Sequence, residues 1–148
     1  MKALIVYHTK HGNTKKVAEL IGEGLKTIEE NEVTIENVKE IDLSKDEIYD
    51  LILVGSPNHV GSHTKSVKKF IKGLSNASLK GKSFAVFDTY MSKDYEKAVK
   101  KMEKQINEVM PNLNKASSGL SIKVGGMKGP IVEEDLPKCK EFGITLAK

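Results

Sequence analysis

Lys2 to Tyr7 is a nearly unbroken apolar run of Ala, Leu, Ile and Val, the mark of a strand buried on both faces. The pattern then changes to helical spacing. From Thr14 to about Glu30, Val17, Leu20, Ile21, Leu25 and Ile28 fall on one side, and Lys15, Lys16, Glu19, Glu23 and Lys26 on the other. Val33, Ile35 and Val38 predict a second strand and Asp50 to Gly55 a third, with room between them for a short crossover helix around Ser44 to Ile48. Thr64 to Leu74 reads as a helix with Val67, Phe70, Ile71 and Leu74 inward. Lys80-Gly81-Lys82 reads as a turn and Ser83 to Phe87 as a fourth strand. Tyr95, Ala98, Val99, Met102, Ile106 and Val109 mark a long helix stopped at Pro111; Leu120 to Val124 forms a fifth strand and Glu133 to Ala147 a last helix.

Buried strands alternating with amphipathic helices imply an α/β fold: an open, doubly wound, five-stranded parallel sheet covered on both faces, with right-handed crossovers. No repeat or linker interrupts the 148 residues, so one domain over 1–148 is expected. Ligands of such sheets bind in the loops at the carboxyl ends of the strands, near the topological switch point.

Composition narrows the class. Apolar residues make up 39% and charged ones 30%, which argues against disorder, and no apolar run approaches the roughly 20 residues needed to cross a bilayer. Met1-Lys2 leads straight into the first strand, so no signal peptide is expected and the expected location is cytoplasmic. The lone Cys139 rules out an internal disulfide framework and reads as packing, while Met102, Met110 and Met127 read as gap-filling. All 24 basic residues are Lys, and residues 51–100 carry nine of them against three acids. Without Arg, and with 5% aromatics, this excess argues for an acidic or anionic partner over nucleic acid.

The loop most suited to chemistry is His8-Thr9-Lys10-His11-Gly12-Asn13-Thr14, between the first strand and first helix. Hydroxyls, a glycine and the N–H groups of a helix start form a nest for phosphate, although Thr14 also suits a plain N-cap. Other phosphate motifs do not fit. No G-x-G-x-x-G follows the first strand, and Gly81-Lys82-Ser83 lacks the first glycine of a P-loop, with Asn76 in its place. His8 and Ser56 stand where a response regulator needs carboxylates.

Lys2 to Tyr7 followed by Thr9-Lys10-His11-Gly12-Asn13-Thr14 resembles the opening of the flavodoxin family, whose phosphate loop reads T/S-x-T-G-x-T, here with His11 at the second Thr. Asp50 to Pro57 resembles the family's third strand and second loop, and the likeness runs along essentially the whole chain. It implies a short-chain member with strand order 2-1-3-4-5, FMN as cofactor and electron transfer between redox partner proteins. Thr9, His11, Asn13 and Thr14 would hold the phosphate, with backbone N–H groups from Lys10 and Gly12. Ser56, Pro57, Asn58, His59, Val60 and Gly61 would bear on one side of the flavin ring, with the backbone from Asn58 to Gly61 meeting flavin N5. Asp88, Thr89, Tyr90 and Met91 would supply the other side, with Tyr90 stacking. The resemblance leaves open an FMN-dependent oxidoreductase acting on a quinone or porphyrinogen-type substrate, and a domain that has lost the cofactor. A monomer or weak homodimer is expected.

Two further patterns bear on function. His8, His11, His59 and His63 fall in two loops that this strand order makes neighbours, which suggests a pH-sensitive flavin rim. Pro57 and Gly61 oppose the helix that would align His59 with His63 on a metal. Lys65, Lys68, Lys69 and Lys72 share one helix face beside the second loop, where they would dock an acidic redox partner by charge steering.

Overall fold

Alternation of inward side chains along each strand divides the core between the two faces of one sheet. In the computed structural model, which describes residues 1–148, Leu4 and Val6 of β1 (Lys2–Tyr7) face one layer, while Ala3, Ile5 and Tyr7 face the other. The first layer is α2 (Lys65–Gly73) and α3 (Lys97–Val109), packed through Val67, Phe70, Ile71, Val99, Met102 and Ile106. The second is α1 (Asn13–Leu25) and α4 (Leu136–Ala147), packed through Val17, Ile21, Leu25 and the buried Cys139.

The remaining strands are β2 (Glu32–Asn37), β3 (Ile48–Pro57), β4 (Lys80–Tyr90), β5 (Asn114–Lys115) and β6 (Leu120–Lys123). The sheet is parallel throughout in the order β2-β1-β3-β4-β5, and β6 also pairs with β4, so the 2-1-3-4-5 arrangement stands. Its fifth position is divided. Ser83 and Phe84 pair with Asn114 and Lys115, whereas Phe87 pairs with Leu120. Three steps along β4 thus face five along its neighbour, and the excess leaves the ladder between Ala116 and Gly119.

Several element boundaries differ from the sequence expectation, two of them because particular polar groups capture the backbone. The first helix ends at Leu25, not near Glu30: Thr27 Oγ1 donates to Gly24 O (2.7 Å) and Asn31 Nδ2 to Leu25 O (2.9 Å), closing the last turn. No crossover helix forms over 44–48. Asp42 Oδ1 accepts both Ser44 N–H and Oγ–H, while Leu43 O and Glu47 O accept N–H groups of Ser78, Leu79 and Lys80, so this segment satisfies its groups by long-range bonds. Lys80-Gly81-Lys82 is strand, not turn, because the early start of β3 lets Ile48 and Tyr49 pair with Lys80 and Gly81. The last helix is preceded by a 3₁₀ turn over Glu133–Asp135.

α1 and α4 cross nearly backbone to backbone. A Cβ on Gly143 would lie 2.1 Å from Ile21 O, and one on Gly24 2.1 Å from Lys140 O. This contact fixes the layer that carries the first loop.

Candidate flavin site

Four loops meet at the carboxyl edge of the sheet. The first, His8 to Gly12, opens α1. Gly12 is its N-cap, at φ 93° and ψ −8°, a left-handed conformation that glycine adopts without strain. Thr14 is therefore not the cap: it lies inside the first turn, 1% exposed, with Oγ1 2.9 Å from Thr89 Oγ1 of β4. The first intrahelical bond is Lys16 N–H to Gly12 O (3.0 Å), which leaves the N–H groups of Asn13, Thr14 and Lys15 without backbone acceptors. Thr9 Oγ1 accepts Gly12 N–H at 2.9 Å and keeps its own proton free to donate. Lys10 and His11 are exposed beside this nest.

The second loop follows β3. Ser56, fully buried, donates to Pro57 O and accepts Thr64 N–H (2.9 and 3.0 Å), so its hydroxyl ties the two ends of the loop. His59 and Ser62 exchange backbone bonds (2.6 and 3.2 Å) around a tip with Val60 at φ 51° and Gly61 at φ 73°. A β-branched residue in the left-handed region is strained, and Val60 holds it while 88% exposed. Asn58 anchors the hairpin from below: its N–H reaches Thr89 O and Nδ2 reaches Asp94 Oδ2 (both 2.7 Å), while its buried Oδ1 has no partner.

The third loop follows β4, and here side chains divide by role. Asp88 and Thr89 point inward. Asp88 Oδ2 accepts Val99 N–H (3.0 Å) at the start of α3, and Oδ1 accepts Ser121 Oγ–H (2.5 Å), whose oxygen in turn accepts Glu96 N–H (2.9 Å). Burial pushes the Asp88 carboxyl up to about 6, against the lowering by these bonds. Tyr90 is half-buried, and Met91 is exposed above it. Tyr95, which periodicity assigns to a helix, instead lies in this loop, 58% exposed, edge-on to Tyr90 with ring centroids 5.5 Å apart.

The fourth loop, residues 124–132, carries no motif that marks it in the sequence. Gly129 packs on the first loop so closely that a Cβ there would lie 2.4 Å from Asn13 Oδ1. Met127, expected to fill a core gap, is 72% exposed because it sits in this glycine-rich loop. The signal for it is position: Gly125-Gly126-Met127-Lys128-Gly129 follows the last strand at the same sheet edge as the other three loops.

The four histidines do not gather at one point. His63 is buried; its Nε2 meets Gln105 Oε1 at 2.6 Å, while Gln105 Nε2 donates to Lys68 O. Gln105 therefore offers an acceptor, His63 carries its proton on Nε2, and burial holds its pKa below the usual value. His8 Nδ1 bonds Thr64 Oγ1 (2.8 Å), its pKa also lowered by burial and by Lys39 and Lys10. His11 and His59 are exposed.

Asp88 should make the protein's stability depend on pH. Its folded pKa of about 6 exceeds the unfolded value of 3.8, so between these limits the native state binds more protons and stability falls as pH rises. At roughly 1.4 kcal/mol per unit, the loss is on the order of 3 kcal/mol. Urea midpoints measured across this window should fall more steeply in the wild-type chain than in Asp88→Asn; equal slopes would remove Asp88 from this role.

The flavodoxin-domain family model matches this chain over residues 4–120. The chain belongs to the flavodoxin family. An uncharacterized protein of Methanocaldococcus jannaschii is 30% identical over 100% of this chain and 99% of its own length. A flavodoxin of Aquifex aeolicus is 39% identical over 47% of this chain, and the match spans only 37% of that protein. Among solved structures, a flavodoxin from the domain Archaea superposes with a TM-score of 0.82 at 28% identity, covering 99% of this chain and 96% of its own. Flavodoxin-family members generally bind flavin. No helix is long and apolar enough to cross a membrane.

Proposed function

We propose that this chain binds FMN non-covalently and carries electrons between protein partners. The observation that carries the reading is where its exposed apolar side chains lie. Of seven large hydrophobic residues left exposed, Val60, Met91, Tyr95 and Met127 belong to the second, third and fourth loops of one sheet edge. An apolar rim beside a phosphate nest suits a flat aromatic ring bearing a phosphorylated tail.

The residues fit FMN part by part. The free N–H groups of Asn13, Thr14 and Lys15, the Thr9 hydroxyl and the exposed Lys10 and His11 would hold the phosphate. Gly12 leaves open space above the nest, since a Cβ there meets nothing within 4 Å. Tyr90, Tyr95 and Met91 would cover one side of the ring. The His59–Ser62 hairpin would lie on the other, with Ser56, Pro57 and Asn58 fixing its base and the Val60–Gly61 peptide at its tip. Asp88 and Thr89 support the rim from within. FMN supplies reversible one- and two-electron chemistry; the protein's part is to hold the ring at the surface and tune its forms by hydrogen bonds and charge.

That charge is positive. Lys65, Lys68, Lys69 and Lys72 are all exposed, and none is ion-paired, so they favour an acidic redox partner. The same field should make the two-electron-reduced flavin easier to form. Reductive titration of the FMN-loaded protein tests the reading. One FMN bound per chain, with a two-electron potential less negative than that of free FMN, is the expected result. Absence of FMN binding would leave only the fold, and NAD(P)H-driven quinone turnover would make the chain an enzyme.

A further inference from the structure

We propose that the groove between the β2–β3 connection and α2 is the docking site for an acidic segment of a partner protein, one whose Asp and Glu residues flank an apolar anchor. This deepens the electron-carrier reading and rests on it only for the partner's being a redox protein.

The groove encloses about 730 Å³, enough for more than one side chain. Ile41 and Leu43, both half-buried, make its accessible apolar wall, backed by the nearly buried Val38 and Phe70, and Lys39, Lys69 and Lys72 stand at its rim. All three lysines are exposed and none is ion-paired. None of the four acids of the same connection lines the groove: Glu40 and Asp46 point elsewhere on the surface, Asp42 is turned to Ser44, and Glu47 pairs with Lys2 and Lys45. Helix α2 contributes four lysines and no acid.

This combination selects its occupant. A wall of Ile and Leu favours an apolar side chain, while an unpaired lysine rim favours carboxylates around it and disfavours a basic segment. A flat lipid surface cannot enter a concave groove. The only aromatic ring, Phe70, is 4% exposed, so bases find no stacking platform. Position supplies the link to function. Val38 N–H bonds Tyr7 O (2.7 Å) at the base of the first loop, and Lys39 is near enough to His8 to lower its pKa. A partner held here lies against the flank of the flavin rim.

The probe is a short fluorophore-labelled peptide of Asp and Glu with a central Phe-Leu pair, titrated by anisotropy and by amide shift mapping. The Lys39→Glu/Lys69→Glu/Lys72→Glu variant should weaken binding by about tenfold or more, whereas Lys101→Glu/Lys104→Glu/Lys148→Glu, with the same charge change, should cost less than about twofold. Replacing Phe-Leu by Ala-Ala should also weaken binding by about tenfold. Ser66→Phe, which leaves charge untouched and fills the groove wall, should do the same, with shifts in the wild-type chain confined to residues 38–43 and 66–76. Equal loss in both lysine variants, equal binding of the Ala-Ala peptide or no binding of either peptide would overturn the proposal. The assay needs no FMN, so a chain that takes up no flavin and a groove that takes up no peptide are separate results.

Discussion

Gly143→Val is expected to unfold the protein at much lower urea than the wild type, or to prevent the folded chain from accumulating. Its Cβ would need the space occupied by Ile21 O at 2.1 Å, with Gly24 Cα at 2.9 Å behind it. Both obstacles are helix backbone, so no side-chain rotation relieves the clash and α4 must move away from α1. That movement opens the layer holding Ile21, Leu25 and Cys139, all fully buried. Overpacking alone costs about 1–3 kcal/mol, and uncovering this layer adds to it. Against a total stability of about 5–15 kcal/mol, the sum is a large fraction. Gly125→Ala is the control: its Cβ meets only Pro130 O, at 3.6 Å, and should change stability by less than about 1 kcal/mol. Equal effects at the two positions would show that the helix crossing is more yielding than this geometry implies.

Gly12→Asp should abolish most FMN affinity while leaving the fold intact. Asp tolerates the left-handed region better than most residues, and the new Cβ has no neighbour within 4 Å. Its carboxylate would stand at the positive end of α1, among the N–H groups proposed for the phosphate, and repel that phosphate. A hundredfold rise in Kd, about 2.7 kcal/mol, is expected for FMN by fluorescence quenching. Riboflavin, which lacks the phosphate, should bind the variant as it binds the wild type. Parallel loss of both ligands would place the phosphate elsewhere.

The rim of the site is legible in the sequence to different depths at its different loops. The first loop is readable because its glycine, hydroxyls and helix start are contiguous, and local chemistry defines a nest. Tyr95 is not readable, since its apolar spacing continues the α3 pattern. It leaves the helix because Glu96, at φ 62°, caps α3 with its N–H held by Ser121, 25 residues away. Asp88 resembles a rim residue for the same reason: its place at a strand end does not reveal that Val99 and Ser121 draw its carboxyl inward. Met127 cannot be told from a core methionine, because a glycine-rich loop shows its exposure only once Gly129 is packed on Asn13.

The order of the sheet follows from the resemblance to flavodoxins, while the layer architecture and the place of the glycine loop proposed for the phosphate are contained in the chain's order of residues, since they follow from periodicity and from a contiguous motif. So is the fact that every basic residue is a lysine. Which lysines border an apolar groove, which histidines turn inward and which rings stand free at the rim emerge only when the chain is folded. These depend on contacts between residues far apart in the chain, such as Tyr7 with Val38 or Asn58 with Asp94, and no local pattern records them.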